Sequence, residues 1–181
     1  MNLSSFVNKN MVTVNLRANT KRAVIAEIVG YICSRLALPD KNQILQSILD
    51  REEKASTGIG DGVAIPHCRL PHLERVLFFV GISKPGIDFG APDGKAAHII
   101  FLFVTPEVES QTHLKILSAI GNLQQNGALL EKLTAAKTDS ELFDILNYEQ
   151  VQRESYYPLT REEVFRELET SEAGLSDYDA R

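Results

Sequence analysis

Apolar and polar residues alternate over Val12, Val14 and Leu16, the period of a short half-buried strand. The period then lengthens. Val24, Ile25, Ile28, Val29, Ile32 and Leu36 recur at helical spacing, Asn19 or Thr20 stands where a cap belongs, and Pro39 closes the run. Asp40 with Gln43 makes a capping-box start for a second helix, with Ile44, Leu45, Ile48 and Leu49 on its inner face. That helix is expected to close in the polar stretch Asp50-Arg51-Glu52-Glu53. A glycine-rich segment, 56–62, leads into the short apolar strand Val63-Ala64-Ile65-Pro66. Segments 76–83 and 98–104 are apolar enough to be central strands buried on both faces. Lys84-Pro85-Gly86 and Pro92-Asp93-Gly94 between them read as turns or loops. From Gln111 a helix is predicted with Leu114, Leu117, Ile120 and Leu123 inward, followed by shorter helices over 128–136 and 140–146.

Two helices precede the central strands and more follow, and several connections are too brief for repeated right-handed crossovers. The pattern therefore predicts a single α/β domain, a mixed sheet covered by helices on both faces. It is complete near Asn147, so residues 1–148 are taken as the domain and 149–181 as an extension. Within the extension, Thr160-Arg161-Glu162-Glu163 forms a capping box for a short helix with Val164, Phe165 and Leu168 on one side. Residues 171–181 are expected to be loose.

Composition narrows the function classes. At 181 residues with 44% hydrophobic and 24% charged residues, the chain can bury a proper core without staples. The net charge of −5 gives no basic footprint for nucleic acid. Segment 149–181 holds nine acidic and four basic residues, so the excess acid lies there and the body is neutral. Cys33 and Cys68 make neither CxxC nor zinc-finger spacing, and Cys33, inside a helical stripe, reads as a small buried thiol. Residues 1–10 do not read as a signal peptide, and the longest strongly apolar run, 99–104, is far short of a membrane span. A soluble, cytoplasmic protein without membrane insertion is expected.

The densest chemistry lies in 51–69, REEKASTGIGDGVAIPHCR. Gly58-Ile59-Gly60-Asp61-Gly62 is not a P-loop, because no Gly-Lys-Ser/Thr follows. It is not a dinucleotide fingerprint either, since it leads into a short strand and Pro66 rather than a helix. His67 sits just beyond that strand, near a loop rich in backbone N–H donors, which are the ingredients of a reactive imidazole. Taken alone, a polar residue closing a buried strand is the commoner meaning of such a histidine.

The string STGIGDGVAIPH resembles the active-site signature of the fructose/mannitol/nitrogen-type enzyme IIA of the bacterial phosphotransferase system. Leu49-Asp50-Arg51-Glu52 resembles that family's L-x-R-E at the end of the second helix, and Thr112-His113-Leu114-Lys115-Ile116-Leu117 its second histidine motif. Three separated motifs in order, spanning about 4–147, make a specific match. The resemblance implies a three-layer α/β/α domain in which His67 accepts a phosphoryl group from an HPr-like phosphocarrier protein, flanked by Arg51 and His113. It implies as targets an enzyme IIB, a transporter or a kinase. Where the family commonly has glycine or alanine after the histidine, this chain has Cys68, which puts a thiol beside the site and raises redox sensitivity as an idea.

A relay of this kind needs an imidazole that is neutral near pH 7 and is held at its other ring nitrogen. Catalysis then consists of alignment and stabilisation of the equatorial oxygens. The backbone donors of Thr57, Gly58 and Gly60 are expected to serve as a phosphate-binding loop, His113 to offer an N–H, and Arg51 a forked cation. No metal or other cofactor is required, since donor and acceptor are both protein imidazoles. Zinc held by His67, Cys68 and His113 would need adjacent ligands and lacks a fourth. A serine hydrolase lacks its G-x-S-x-G elbow. His98 reads as a packed strand residue and His72 as a surface one. Without a fused IIB, carrier or membrane domain in this chain, the nitrogen-regulatory type is favoured over a sugar-specific donor to enzyme IIB; a non-catalytic binding module is the third reading.

Overall fold

The computed structural model describes residues 3–38 and 40–155. Two 3-10 turns, Leu3–Ser5 and Lys9–Met11, lead into β1 (Val12–Thr13), α1 (Lys21–Leu36), α2 (Lys41–Lys54), β2 (Gly58–Gly60), β3 (Val63–Ala64) and β4 (His67–Leu70). Then come β5 (Leu77–Ile87), β6 (Ala97–Pro106), α3 (Ser110–Gln124), α4 (Gly127–Ala135) and α5 (Asp139–Ser155). Thr20 caps α1, its hydroxyl accepting from the Ala23 N–H at 3.3 Å. The helix ends as Ala37 turns left-handed at φ 50°. Asp40 occupies the N-cap position of α2, but its side chain makes no capping bond, so the expected capping box does not form.

The long strands β5 and β6 pair antiparallel at the centre, Phe78 opposite Phe103 and Val80 opposite Phe101. The order across the six-stranded mixed sheet is β1-β5-β6-β3-β2, with β4 also on β6. Alternation on β6 divides the core in two. Ile100, Leu102 and Val104 face the stripes of α1 and α2, whereas Ile99, Phe101 and Phe103 face α3, α4 and α5. The architecture is therefore the α/β sheet with helices on both faces that the pattern predicts.

Three local expectations are corrected. Lys84-Pro85-Gly86 is not a turn but lies within β5, where pairing with β6 is interrupted between Ile82 and Ile87 and Gly86 sits at φ +78°. An irregular stretch of strand tolerates the missing proline N–H as well as a turn does. Ile120 and Leu123 face inward as expected, but Leu114 is 64% exposed and Leu117 only partly buried, because His113 and Ile116 take the inward positions in the first turns of α3. The helix expected over 140–146 runs from Asp139 to Ser155, so a boundary after Tyr148 falls inside α5. The helix expected after Thr160 and the loose 171–181 lie outside the described residues.

β3 and β4 are two pieces of one parallel line along β6. Val63 is opposite Ile99, Ala64 opposite Ile100 and His67 opposite Phe103, so the register is kept across the gap at Ile65-Pro66. Pro66 has no N–H to give the ladder, but its carbonyl still accepts from the Phe103 N–H at 3.2 Å. The break thus sits immediately before His67. No helix among the described residues is long and apolar enough to cross a membrane.

Candidate active site

His67 opens β4 rather than trailing a finished strand, and by alternation it shares a face with Val63 and Ile65, toward α3. Its ring lies over Phe103 of β6, centroids 5.3 Å apart and nearly parallel at 10°. The His113 ring, from the first turn of α3, meets it edge-on at 5.2 Å. Phe103 touches both imidazoles, its centroid 5.1 Å from that of His113. The two histidines are 8% and 9% exposed. Strand and helix thus bring together two residues that lie 46 positions apart in sequence.

His67 Nδ1 lies 2.7 Å from the carbonyl oxygen of Ile65. A carbonyl only accepts, so Nδ1 carries the proton and Nε2 keeps its lone pair. His113 Nδ1 meets the hydroxyl of buried Thr105 at 2.8 Å.

An open pocket of about 400 Å³ lies between α2, β4 and α3, lined by Ser47, Asp50, Arg51 and Lys54 of α2, His67, Cys68 and Arg69 of β4, and Glu107 and His113. Arg51 Nη1 donates to the Ala55 carbonyl at 2.9 Å, which ties the guanidinium to the end of α2. Arg69 Nη1 donates to Ser110 Oγ at 3.2 Å. Burial pushes the His67 imidazole below its ordinary value, and the Ile65 bond opposes this only in part. Burial, then the neighbouring His67, Arg69 and Arg51, hold His113 down at about 4. Both rings are therefore neutral near pH 7, one with its Nε2 lone pair fixed, beside three cations, Arg51, Lys54 and Arg69, and two carboxylates, Asp50 and Glu107. Such a pocket suits an anionic group delivered to Nε2.

His67, Arg51 and His113 converge here. Thr57, Gly58 and Gly60 do not line the pocket. The Thr57 N–H donates to Glu52 Oε1 at 3.1 Å and its hydroxyl to Oε2 at 2.5 Å, while the Gly58 N–H donates to Ser56 Oγ. The expected phosphate cradle is corrected at Thr57 and Gly58, whose N–H groups are committed to Glu52 of α2 and to Ser56. Buried Glu52, which also pairs with Lys21 at 3.0 Å, clamps that loop to α2. Cys68 alternates to the other face of β4 and packs in the α1/α2 cluster. Burial pushes its thiol up to about 12, which leaves little thiolate for oxidation chemistry. His98 is packed, its Nδ1 donating to the Ser83 carbonyl at 3.0 Å, and His72 is exposed. Among the described residues no group of three or more His, Cys, Asp or Glu could hold a metal ion.

Arg69 and Phe103 belong to the site although neither lies in a motif. Arg69 follows His67 by two positions, so period-2 counting from a strand beginning at His67 would have placed it on the same face. Phe103 looked like core and is core; only the register of β4 against β6 reveals its contact with the imidazole.

Residues 5–149 match the family described as "Phosphoenolpyruvate-dependent sugar phosphotransferase system, EIIA 2". The chain is 32% identical over 148 residues to the nitrogen regulatory protein of Escherichia coli (strain K12), covering 81% of this chain and 90% of that protein. It is 31% identical over 147 residues to the fructose-specific EIIABC component of Bacillus subtilis, covering 81% of this chain but only 23% of that longer protein. The fold matches the nitrogen regulatory protein IIA-Ntr from Neisseria meningitidis with a TM-score of 0.73 at 24% identity, over 80% of this chain and 98% of that one.

Proposed function

Because the chain belongs to the type-2 enzyme IIA family of the phosphoenolpyruvate-dependent phosphotransferase system, we propose that it relays a phosphoryl group through His67. The Nε2 lone pair forms a new P–N bond as the P–N bond to a phosphohistidine on an HPr-like donor breaks, and the electron pair of the broken bond returns to the donor ring. His67 keeps its Nδ1 proton throughout. The positive charge this places on the ring is met by the Ile65 carbonyl. Arg51, Arg69 and His113 are assigned to the phosphoryl oxygens, whose charge is spread in a loose transition state. The single observation that carries the reading is the Ile65 carbonyl on Nδ1, which leaves a neutral, oriented nucleophile.

The relay is cytoplasmic in this reading, and its output is regulatory. Alignment along nearly the whole of a nitrogen regulatory protein supports that branch; donation to a sugar-specific enzyme IIB is the alternative. The test incubates the chain with phosphoenolpyruvate, enzyme I and an HPr-like carrier, then uses mass spectrometry under non-acidic conditions. One phosphoryl group on wild type and none on His67→Ala is the expected result. Equal labelling of the two overturns the assignment. A chase with candidate IIB proteins separates the two outputs, since a regulatory protein retains the label.

A further inference from the structure

We propose that Thr105 is a positioning residue which sets the tautomer of His113, its hydroxyl donating to Nδ1 so that the ring's single proton sits on Nε2 as a donor toward the phosphoryl group. Thr105 lies on β6 two residues beyond Phe103, on the same face, and pairs across the ladder with Arg69. It is fully buried, and its Oγ1 lies 2.8 Å from His113 Nδ1. A neutral imidazole carries one N–H, and a hydroxyl can donate or accept, so the distance alone permits two arrangements. The surroundings separate them.

If Nδ1 held the proton, Thr105 would accept it and the hydroxyl's own hydrogen would need a second acceptor. Among the described residues the structure gives Thr105 Oγ1 no partner other than His113. A buried donor left unpaired is costly, whereas the opposite arrangement satisfies both atoms with one bond. The two histidines are thereby set oppositely by their partners. Acceptor-only Ile65 forces Nδ1–H on His67 and frees its Nε2 lone pair, while the Thr105 hydroxyl places N–H at Nε2 of His113. One ring attacks and the other donates. With both on the same tautomer as His67, His113 would turn a lone pair toward an anion.

This inference rests on the phosphocarrier reading for its purpose but not for its geometry, and its test keeps the two apart. In ¹⁵N NMR of the unphosphorylated wild-type protein near pH 7, His113 Nδ1 should resonate as an unprotonated imidazole nitrogen and Nε2 as a protonated one. Thr105→Val keeps the shape and strand preference but removes the hydroxyl. It should mix the tautomers and slow transfer from a phosphorylated HPr-like carrier by roughly 10–100-fold, by analogy with losing the outer partner of a metal-bound imidazole. Thr105→Ser restores the donor and should recover both spectrum and rate, which a purely structural role would not predict. Protonated Nδ1 in the wild type, or wild-type transfer by folded Thr105→Val, overturns the proposal. Absence of any transfer to wild type would instead sink the phosphocarrier reading, and the spectrum alone would then decide the tautomer.

Discussion

At the scale of single residues, the site sets proton positions before any phosphate arrives. His67 is neutral because burial lowers its affinity for a proton, and burial with the charges of His67, Arg69 and Arg51 holds His113 at about 4. Both folded values lie below the ordinary 6.5, so the unfolded chain takes up protons first as pH falls. The stability these rings contribute is complete above pH 6.5 and is lost as pH falls from there through the folded values, to about 4 for His113. Thermal melts should therefore show Tm dropping across that window, and His113→Gln should lose less Tm than wild type over the same interval. Parallel curves would contradict the shift. The donor role of His113 makes a separate kinetic prediction. His113→Ala should slow transfer by roughly 10²–10³, the cost of one preorganised donor, with His67 still the acceptor. Arg51→Lys should also be impaired, because an ammonium keeps the charge but loses the fork. Rapid-quench transfer from a phosphorylated carrier measures both, and wild-type rates in folded variants would make these residues structural.

At the scale of elements, the register of β4 on β6 stacks His67 on Phe103, and the chain just before it turns the Ile65 carbonyl toward the imidazole. The Pro66 carbonyl takes the β6 side of the line, from the Phe103 N–H; Ile65 faces the other side, where its N–H donates to the Thr57 carbonyl and its own carbonyl accepts the imidazole N–H. The glycine hairpin serves a different purpose. A Cβ on Gly58 would come within 3.0 Å of Phe89 Cβ and 3.1 Å of Ala91 Cβ, so the glycine allows β2 to approach the loop carrying Phe89. Gly58→Ala should then cost about 1–3 kcal/mol in urea denaturation, the usual penalty of overpacking, while transfer by the folded fraction stays at the wild-type rate. A selective loss of rate would restore the hairpin to the phosphate site. These two elements also mark the limit of what the sequence discloses. The central strands and the stripe of α1 were legible because apolar periodicity is itself the cause of burial. The histidines and Arg51 were legible through motifs. Thr105 and Arg69 were not, because their partners are fixed by strand register, and register is a property of two segments rather than one. Leu114 misled for a related reason: a polar His113 takes an inward position that periodicity assigns to an apolar residue.

At the scale of the whole molecule, two cores pack on one sheet, and the pocket opens where α2 and α3, from opposite faces, meet beside β4. Among the side chains of α5 that the structure describes, the buried ones, Leu142 and Leu146, precede Tyr148. A chain ending at Tyr148 should therefore remain folded and accept phosphate, as judged by near-UV circular dichroism and labelling. A molten truncation would assign 149–181 to the core. The most direct test of the account is to locate the phosphoryl group by ³¹P–¹⁵N NMR of the uniformly ¹⁵N-labelled chain, after phosphorylation by phosphoenolpyruvate, enzyme I and an HPr-like carrier. The Ile65 carbonyl on Nδ1 predicts phosphorus coupled to Nε2 of His67, with Nδ1 still protonated. Phosphorus on Nδ1 of His67, or on His113, would contradict it.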